Sequence, residues 1–174
     1  MQLSGDAGIG RSTLAAALVR PAAGRGRAVA VGRATELDGA PPFRPWRQIL
    51  EPIGGPRLLD SMANLEPIVD RFACFDAVPE HTLDVAGAAD GLLIVLEDVH
   101  RVDEPSVRLF THVSEGLLGA PVCLVVTSRS RTVEQSTAWA ATGPTLARLP
   151  GARRLGADRA RAQSGRRAVG RRSR

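Results

Sequence analysis

The apolar residues of this chain occur in two patterns that alternate along its length. Residues 92–96 and 122–126 are uninterrupted apolar runs, which are typical of strands buried on both faces of a parallel sheet. The segment 27–32 predicts another strand, and Leu3 marks the end of a shortened first strand. Because segments with helical spacing separate these strands, the pattern predicts an α/β fold with a parallel sheet.

Helices are indicated where apolar residues recur three or four positions apart. Leu14 and Leu18 show this spacing within residues 12–20, and Pro21 is expected to end that helix. Residues 104–118 form a clearly amphipathic segment that predicts a second long helix. Weaker patterns predict helices at four further places, residues 46–53, 58–69, 80–89 and 133–141.

A glycine-rich loop lies between the first predicted strand and the first helix. Its sequence matches the phosphate-binding pattern G-x-x-x-x-G-K-[ST], except that Arg11 replaces the lysine. Glycines let the backbone point successive N–H groups at phosphate oxygens, and the helix start adds its positive dipole end. We therefore predict a three-layer P-loop fold whose nucleotide-binding residues are Gly5, Gly8, Gly10, Arg11, Ser12 and Thr13. The alternative is an ordinary glycine-rich turn into a helix.

Two side chains of this loop determine the expected chemistry. The Ser12 hydroxyl is predicted to bind a magnesium ion that bridges two phosphates. Arg11 keeps the positive charge that its position requires, but a guanidinium group is broad and planar whereas an ammonium group is compact. We therefore expect nucleotide binding with weak or absent ATP hydrolysis.

Charged residues also follow two of the predicted strands. Glu97 and Asp98 come directly after the run 92–96, and Arg129 follows the next strand. Ligands of open α/β sheets bind beyond the carboxyl ends of the strands, where these side chains are expected to meet. Glu97 is assigned to the metal and Asp98 to catalysis or water positioning, with the two roles interchangeable. Arg129 is assigned to the terminal phosphate; the alternative for all three is a solvated charge after a strand.

The charge is distributed unevenly and divides the chain. The net charge is +5, but residues 150–174 carry nine arginines and one acid, whereas residues 1–149 carry 14 basic and 17 acidic residues. The last segment has no periodicity and few apolar residues, so we predict a disordered tail after a nucleotide-binding domain of residues 1–149. Such a tail would bind nucleic acid only weakly and non-specifically, and it contains no aromatic residue for base stacking.

The remaining composition bears on the compartment. No apolar run approaches the roughly 18 residues that a membrane-spanning helix requires, and the stretch before the loop is too short for a signal peptide. We therefore expect a cytoplasmic protein without a membrane partner. The cysteines and histidines show no metal-ligand spacing, and Cys123, within an apolar run, is expected to be a buried thiol.

Three segments together resemble one known family. Residues 4–14, 38–48 and 93–103 are similar to the phosphate loop, a characteristic loop and the acidic strand of the AAA-type ATPase domain of STAND regulators, which include large LuxR-type transcriptional regulators. The resemblance implies ATP or ADP with Mg2+ as cofactors, a switch role, self-association or protein partners, and Arg129 as a phosphate sensor. Within residues 38–48 we interpret Phe43 and Trp46 as packing anchors.

Departures from the family pattern leave alternatives open. Arg11 replaces the usual lysine, Arg101 and Val102 replace a usual Trp-Ala pair, and the segments that normally flank this domain are not seen, as in a truncated fragment. One alternative is a degenerate remnant that binds nothing. Another is a nucleic-acid binder acting through the arginine-rich tail. A small-molecule kinase is a fourth interpretation, although no acceptor site is recognisable.

Overall fold

Five parallel strands form the centre of the described chain. The computed structural model describes residues 1–5, 11–35, 41–63, 75–129 and 137–156. The strands lie in the order β2-β3-β4-β1-β5, and all pairings between them are parallel. Their bounds are β1 Gln2–Gly5, β2 Ala28–Arg33, β3 Leu92–Glu97, β4 Val122–Arg129 and β5 Arg154–Gly156. The predicted α/β fold with a parallel sheet is therefore confirmed.

Helices connect these strands and cover both faces of the sheet. Within the described ranges they are α1 Arg11–Ala23, α2 Arg44–Leu50, α3 Arg57–Ala63, α4 Ala77–Ala88, α5 Glu104–Gly116 and α6 Thr137–Leu146. Short 3-10 turns at Glu51–Ile53 and Val99–Arg101 follow α2 and β3. Each helix overlaps a segment for which the sequence predicts one.

The alternation of side chains along the strands divides the core into two clusters. Leu93 and Val95 pack on one face against α1, where Ala15 is buried. Ile94 points to the opposite face, into a larger cluster that contains Trp46. All six residues of β3 are buried, because both faces of this strand are covered and both of its edges are paired. The uninterrupted apolar run 92–96 is the sequence counterpart of that position.

Aromatic residues hold α2 against the sheet, as predicted. Trp46 is fully buried, and its indole N–H donates to the Ser106 carbonyl oxygen at 3.0 Å. Phe43 is also buried, although its backbone is in the left-handed region. A side chain at Gly32 would overlap the Pro45 carbonyl, so the close approach of β2 and α2 requires glycine there.

Two elements continue past the ends that the sequence predicts. Helix α1 runs through Pro21 to Ala23, because a proline in the last turn removes only one backbone hydrogen bond near the end of the helix. Helix α6 likewise contains Pro144 and ends at Leu146. Residues 130–136, where the sequence predicts the start of that helix, lie outside the described ranges.

The last described strand differs from the prediction of disorder after residue 149. Arg154–Gly156 form β5 and pair with β1, where Leu155 lies beside Leu3. The Gln2 backbone N–H donates to the Arg153 carbonyl oxygen at 2.7 Å. An edge strand of this kind is held by backbone hydrogen bonds, so three residues form it without any apolar pattern. Residues 157–174 lie outside the described ranges, and their disorder remains a prediction.

One thiol is also placed differently from the prediction. Cys123 is exposed, whereas its place in an apolar run predicts burial. It has the same parity along β4 as Val125, which is buried in the cluster beneath α1. Cys123 lies two residues nearer to the start of the strand.

Candidate functional site

The carboxyl ends of the strands bring the predicted site residues to one edge of the sheet. Gly5 at the end of β1 is paired in register with Arg129 at the end of β4. Glu97 at the end of β3 is paired in register with Arg33 at the end of β2. The acids, the entrance to the loop and Arg129 therefore share this edge, as the sequence predicts. Arg33 also lies at this edge, although the sequence does not predict it as a site residue.

The phosphate loop itself is described only at its two ends. Gly5 closes β1, and α1 begins at Arg11, so the strand–loop–helix order of the motif is present. Thr13 lies in the first turn of α1 and is exposed. Residues 6–10, which include Gly8 and Gly10, lie outside the described ranges. The phosphate contacts assigned to this loop, including those of Arg11 and Ser12, remain predictions.

Glu97 is engaged by a cation from the neighbouring strand. Its side chain is only 10% exposed, and its Oε2 accepts hydrogen bonds from Nε of Arg33 at 2.9 Å and from Nη2 of the same residue. This hydrogen bond and the charge of Glu97 raise the pKa of the Arg33 guanidinium above its ordinary value. The carboxylate assigned to a metal therefore already has a charged partner.

Asp98 leaves the sheet in an unusual backbone conformation. Its φ of 58° and ψ of 42° lie in the left-handed region, which costs a non-glycine residue about 1 kcal/mol. The Asp98 N–H donates to Oγ1 of Thr127 at 3.0 Å, and Thr127 is 1% exposed. The chain then turns into Val99–Arg101, where the Arg101 N–H donates to the Asp98 carbonyl oxygen at 2.9 Å. Strand β4 thus holds the turn that presents this carboxylate.

The side chain of Asp98 is more accessible than that of Glu97. It is 32% exposed, and its Oδ2 lies 4.0 Å from Nε of Arg33. Asp98 is therefore the acid of the pair that a ligand at this edge can reach. A third acid nearby, Asp103, has a structural role, because its carboxylate accepts hydrogen bonds from the backbone N–H and the hydroxyl of Ser106 at the start of α5.

Arg129 differs from Arg33 in its surroundings. Its Nε is buried and has no hydrogen-bond partner among the described residues. No ion pair joins Arg129 to Glu97 or Asp98 within the same ranges. A buried guanidinium donor without an acceptor costs free energy unless a ligand supplies one. The arrangement is compatible with the predicted contact between Arg129 and a phosphate.

The donor set at this edge does not fit a divalent cation at Glu97. Both Arg33 donors occupy Oε2 of Glu97, so a metal on the other oxygen would lie beside the guanidinium, and the two positive groups would repel each other. No group of three or more His, Cys, Asp or Glu side chains that could hold a metal occurs in the described part of the chain. The magnesium contact predicted for Ser12 lies beside the undescribed loop and is not affected by this result.

Comparison with known proteins identifies the family of the chain. The chain matches the family model described as AAA ATPase domain over residues 1–126. This chain belongs to the AAA ATPase domain family. Membership, with the parallel sheet, establishes a P-loop ATPase-type module and thereby the nucleotide-binding class of fold.

This AAA domain is also similar to solved structures. Similar solved structures include AMPPCP-bound DnaA from Aquifex aeolicus, with 14% sequence identity and a TM-score of 0.45. The match covers 89% of this chain and 38% of the DnaA chain, so the chain spans less than half the length of that protein. No match was found among curated proteins. No helix of the described residues is long and apolar enough to cross a membrane.

Proposed function

We propose that this AAA domain binds ATP or ADP at the carboxyl edge of its sheet and acts as a nucleotide-dependent switch with weak or absent hydrolysis. The observation that carries the proposal is the shared edge. Gly5 leads into the phosphate loop in register with Arg129 on β4, and Asp98 emerges from β3 at the same edge. The entrance to the loop, the arginine and the acid thus share one edge, and we propose that the phosphate chain lies there.

Each residue has a distinct proposed role. The loop residues Gly5–Thr13 bind the phosphates through backbone N–H groups and the start of α1. Arg129 donates from its unpartnered Nε to the terminal phosphate. Asp98 accepts a hydrogen bond from the attacking water, if hydrolysis occurs, because it is the accessible acid of the pair.

Two features support slow hydrolysis. Arg11 replaces the compact lysine of the motif, and a broad guanidinium fits the tight loop less well. Glu97, which is assigned to the metal by sequence, is held by Arg33. Binding without efficient turnover suits a switch that responds to which nucleotide is present.

The cellular context is proposed from the resemblance alone. Residues 38–48 and 93–103 resemble the AAA-type domain of STAND proteins, including LuxR-type transcriptional regulators. We therefore propose a module of a cytoplasmic signalling or transcriptional regulator that associates with itself or with protein partners. Light scattering in the presence of ATP and of ADP tests the proposed self-association. We expect the oligomeric state, measured as molar mass, to differ between the two nucleotides, and equal masses would contradict the proposal.

Calorimetric titration of ATP and ADP tests the binding proposal. We expect both nucleotides to bind the wild-type chain. The Gly10→Val/Ser12→Ala variant should lose at least about tenfold in affinity, because Gly10→Val blocks the loop and Ser12→Ala removes the hydroxyl that is predicted to bind magnesium. Gly87→Ala in α4 is a matched control, since a side chain at Gly87 meets nothing within 4 Å.

The outcomes of this titration separate the alternatives. Unchanged affinity in the double variant would show that binding occurs elsewhere. Absence of heat with either nucleotide, in a chain that melts cooperatively, would favour the degenerate remnant. DNA binding that is lost on deletion of residues 157–174 would favour the nucleic-acid binder.

A further inference from the structure

We propose that the guanidinium of Arg33 neutralises Glu97 and Asp98. It thereby takes the role that a divalent cation is expected to have at these two acids in this class of domain. These two acids would then contribute little to any effect of magnesium on nucleotide binding, whereas the contact predicted for Ser12 is separate from them. The inference rests on the proposed function for its nucleotide readout, but its second readout uses the chain without nucleotide.

The first support is the geometry of the ion pair. Nε and Nη2 of Arg33 both donate to the same oxygen of Glu97. Charge-assisted bonds of this kind are stronger than neutral ones, and the nearly buried carboxylate needs a partner because an unpaired buried charge is strongly unfavourable. Asp98, with its Oδ2 4.0 Å from the same Nε, lies within the field of this guanidinium.

The second support is that the backbone holds Arg33 in place. Arg33 and Glu97 are paired in register on adjacent strands, so their side chains leave the sheet on the same side. The Arg33 N–H donates to Oε1 of Gln48 at 2.8 Å, and the next N–H, of Ala34, donates to the Glu97 carbonyl oxygen at 2.9 Å. The end of β2 is thus fixed to both α2 and β3.

The consequence is competition between a fixed and a free cation. A divalent ion that approaches Glu97 must either displace Arg33 from Oε2 or bind the other oxygen beside the guanidinium, where the two positive charges repel each other. Much of the electrostatic advantage of the metal is therefore already supplied by the protein. Removing the Arg33 charge should open the two acids to magnesium.

The first experiment measures ATP affinity with and without Mg2+ in the wild type and in Arg33→Gln. We expect Mg2+ to strengthen ATP binding by Arg33→Gln about tenfold more than it strengthens binding by the wild type, the range of ordinary coupling between two ligands. Arg47→Gln, which breaks the exposed pair between Arg47 and Asp60, is the matched control and should behave like the wild type. Equal magnesium responses in wild type and Arg33→Gln would overturn the proposal.

The second experiment measures melting without nucleotide. About 20 mM MgCl2, compared with NaCl at equal ionic strength, should raise the Tm of Arg33→Gln by about 2–4 °C and leave the wild type and Arg33→Gln/Glu97→Gln unchanged. A wild-type Tm that rises as much as that of Arg33→Gln would contradict the inference. If ATP binds to none of the proteins tested, only the proposed function is contradicted, because the melting comparison uses no nucleotide and still tests the role of Arg33.

A measurement on the wild type covers the case in which Arg33→Gln does not fold. The Nε–H signal of Arg33 in a 15N spectrum should keep its position and width during titration with Mn2+. Selective broadening of that signal at low Mn2+ would place the metal at Glu97 and overturn the proposal.

Discussion

The ends of β2 and β4 carry two arginines that flank the same acidic strand yet differ in their partners. Arg33 is 54% exposed and is bound to Glu97. Arg129 is half-buried, and its Nε has no partner among the described residues. A position at the end of a strand beside β3 therefore does not determine whether an arginine pairs with an acid of β3. Arg33 neutralises Glu97 within the protein, whereas the Nε of Arg129 is available to donate to a bound anion.

Replacing Arg33 should have the largest effect on stability. We expect Arg33→Ala to lower the free energy of unfolding by about 2 kcal/mol, because it leaves Glu97 nearly buried without a partner, with the exposure of Arg33 reducing the loss. Urea unfolding gives this value. Adding Glu97→Gln should restore most of it; if the double variant is no more stable than Arg33→Ala, the ion pair is not the cause.

Replacing Arg129 should affect ligand binding more than folding. We expect Arg129→Ala to weaken ATP binding about tenfold, the value of one hydrogen bond to a charged group, and to weaken ADP binding less. Calorimetry with both nucleotides checks this difference. Equal losses for ATP and ADP would remove Arg129 from the terminal phosphate, and the comparison between the two arginines would then fail.

A smaller effect is expected at Thr127, which lies two residues before Arg129 on β4. Thr127→Val keeps the shape of the side chain but removes the acceptor of the Asp98 N–H, so we expect a loss of about 1 kcal/mol in urea unfolding. Thr82→Val is the control, because the hydroxyl of this buried residue donates to the Val78 carbonyl oxygen within α4. A larger loss at Thr82 than at Thr127 would contradict a special role for the Asp98 turn.

The central strands could be predicted from the sequence because burial on both faces leaves a direct trace. The apolar run 92–96 and the acids after it identify β3 without knowledge of its neighbours. The role of Arg33 could not be predicted in the same way. Its contact with Glu97 depends on β2 lying beside β3 in register, and strand order is not encoded in the periodicity of either segment. The position of Arg33 directly after the predicted strand 27–32 is the signal that could have suggested it.

The outer part of the sheet was the harder part for a similar reason. Strand β5 is three residues long and lies at an edge, where backbone pairing to β1 replaces an apolar pattern. The backbone of Asp98 in the left-handed region also depends on a tertiary contact, that with Thr127. Local pattern thus predicted which side chains share an edge, and strand order determined which of them pair.

The position of β4 between β1 and β3 fixes the distance between the ends of those two strands. Neighbouring strands lie about 4.8 Å apart, so the loop after β1 and the acids after β3 are separated by about 10 Å. A ligand held at the loop meets Asp98 only if it extends across the end of β4. For the proposed nucleotide, the spacing of the strands therefore sets how long a phosphate chain must be to contact both the loop and Asp98.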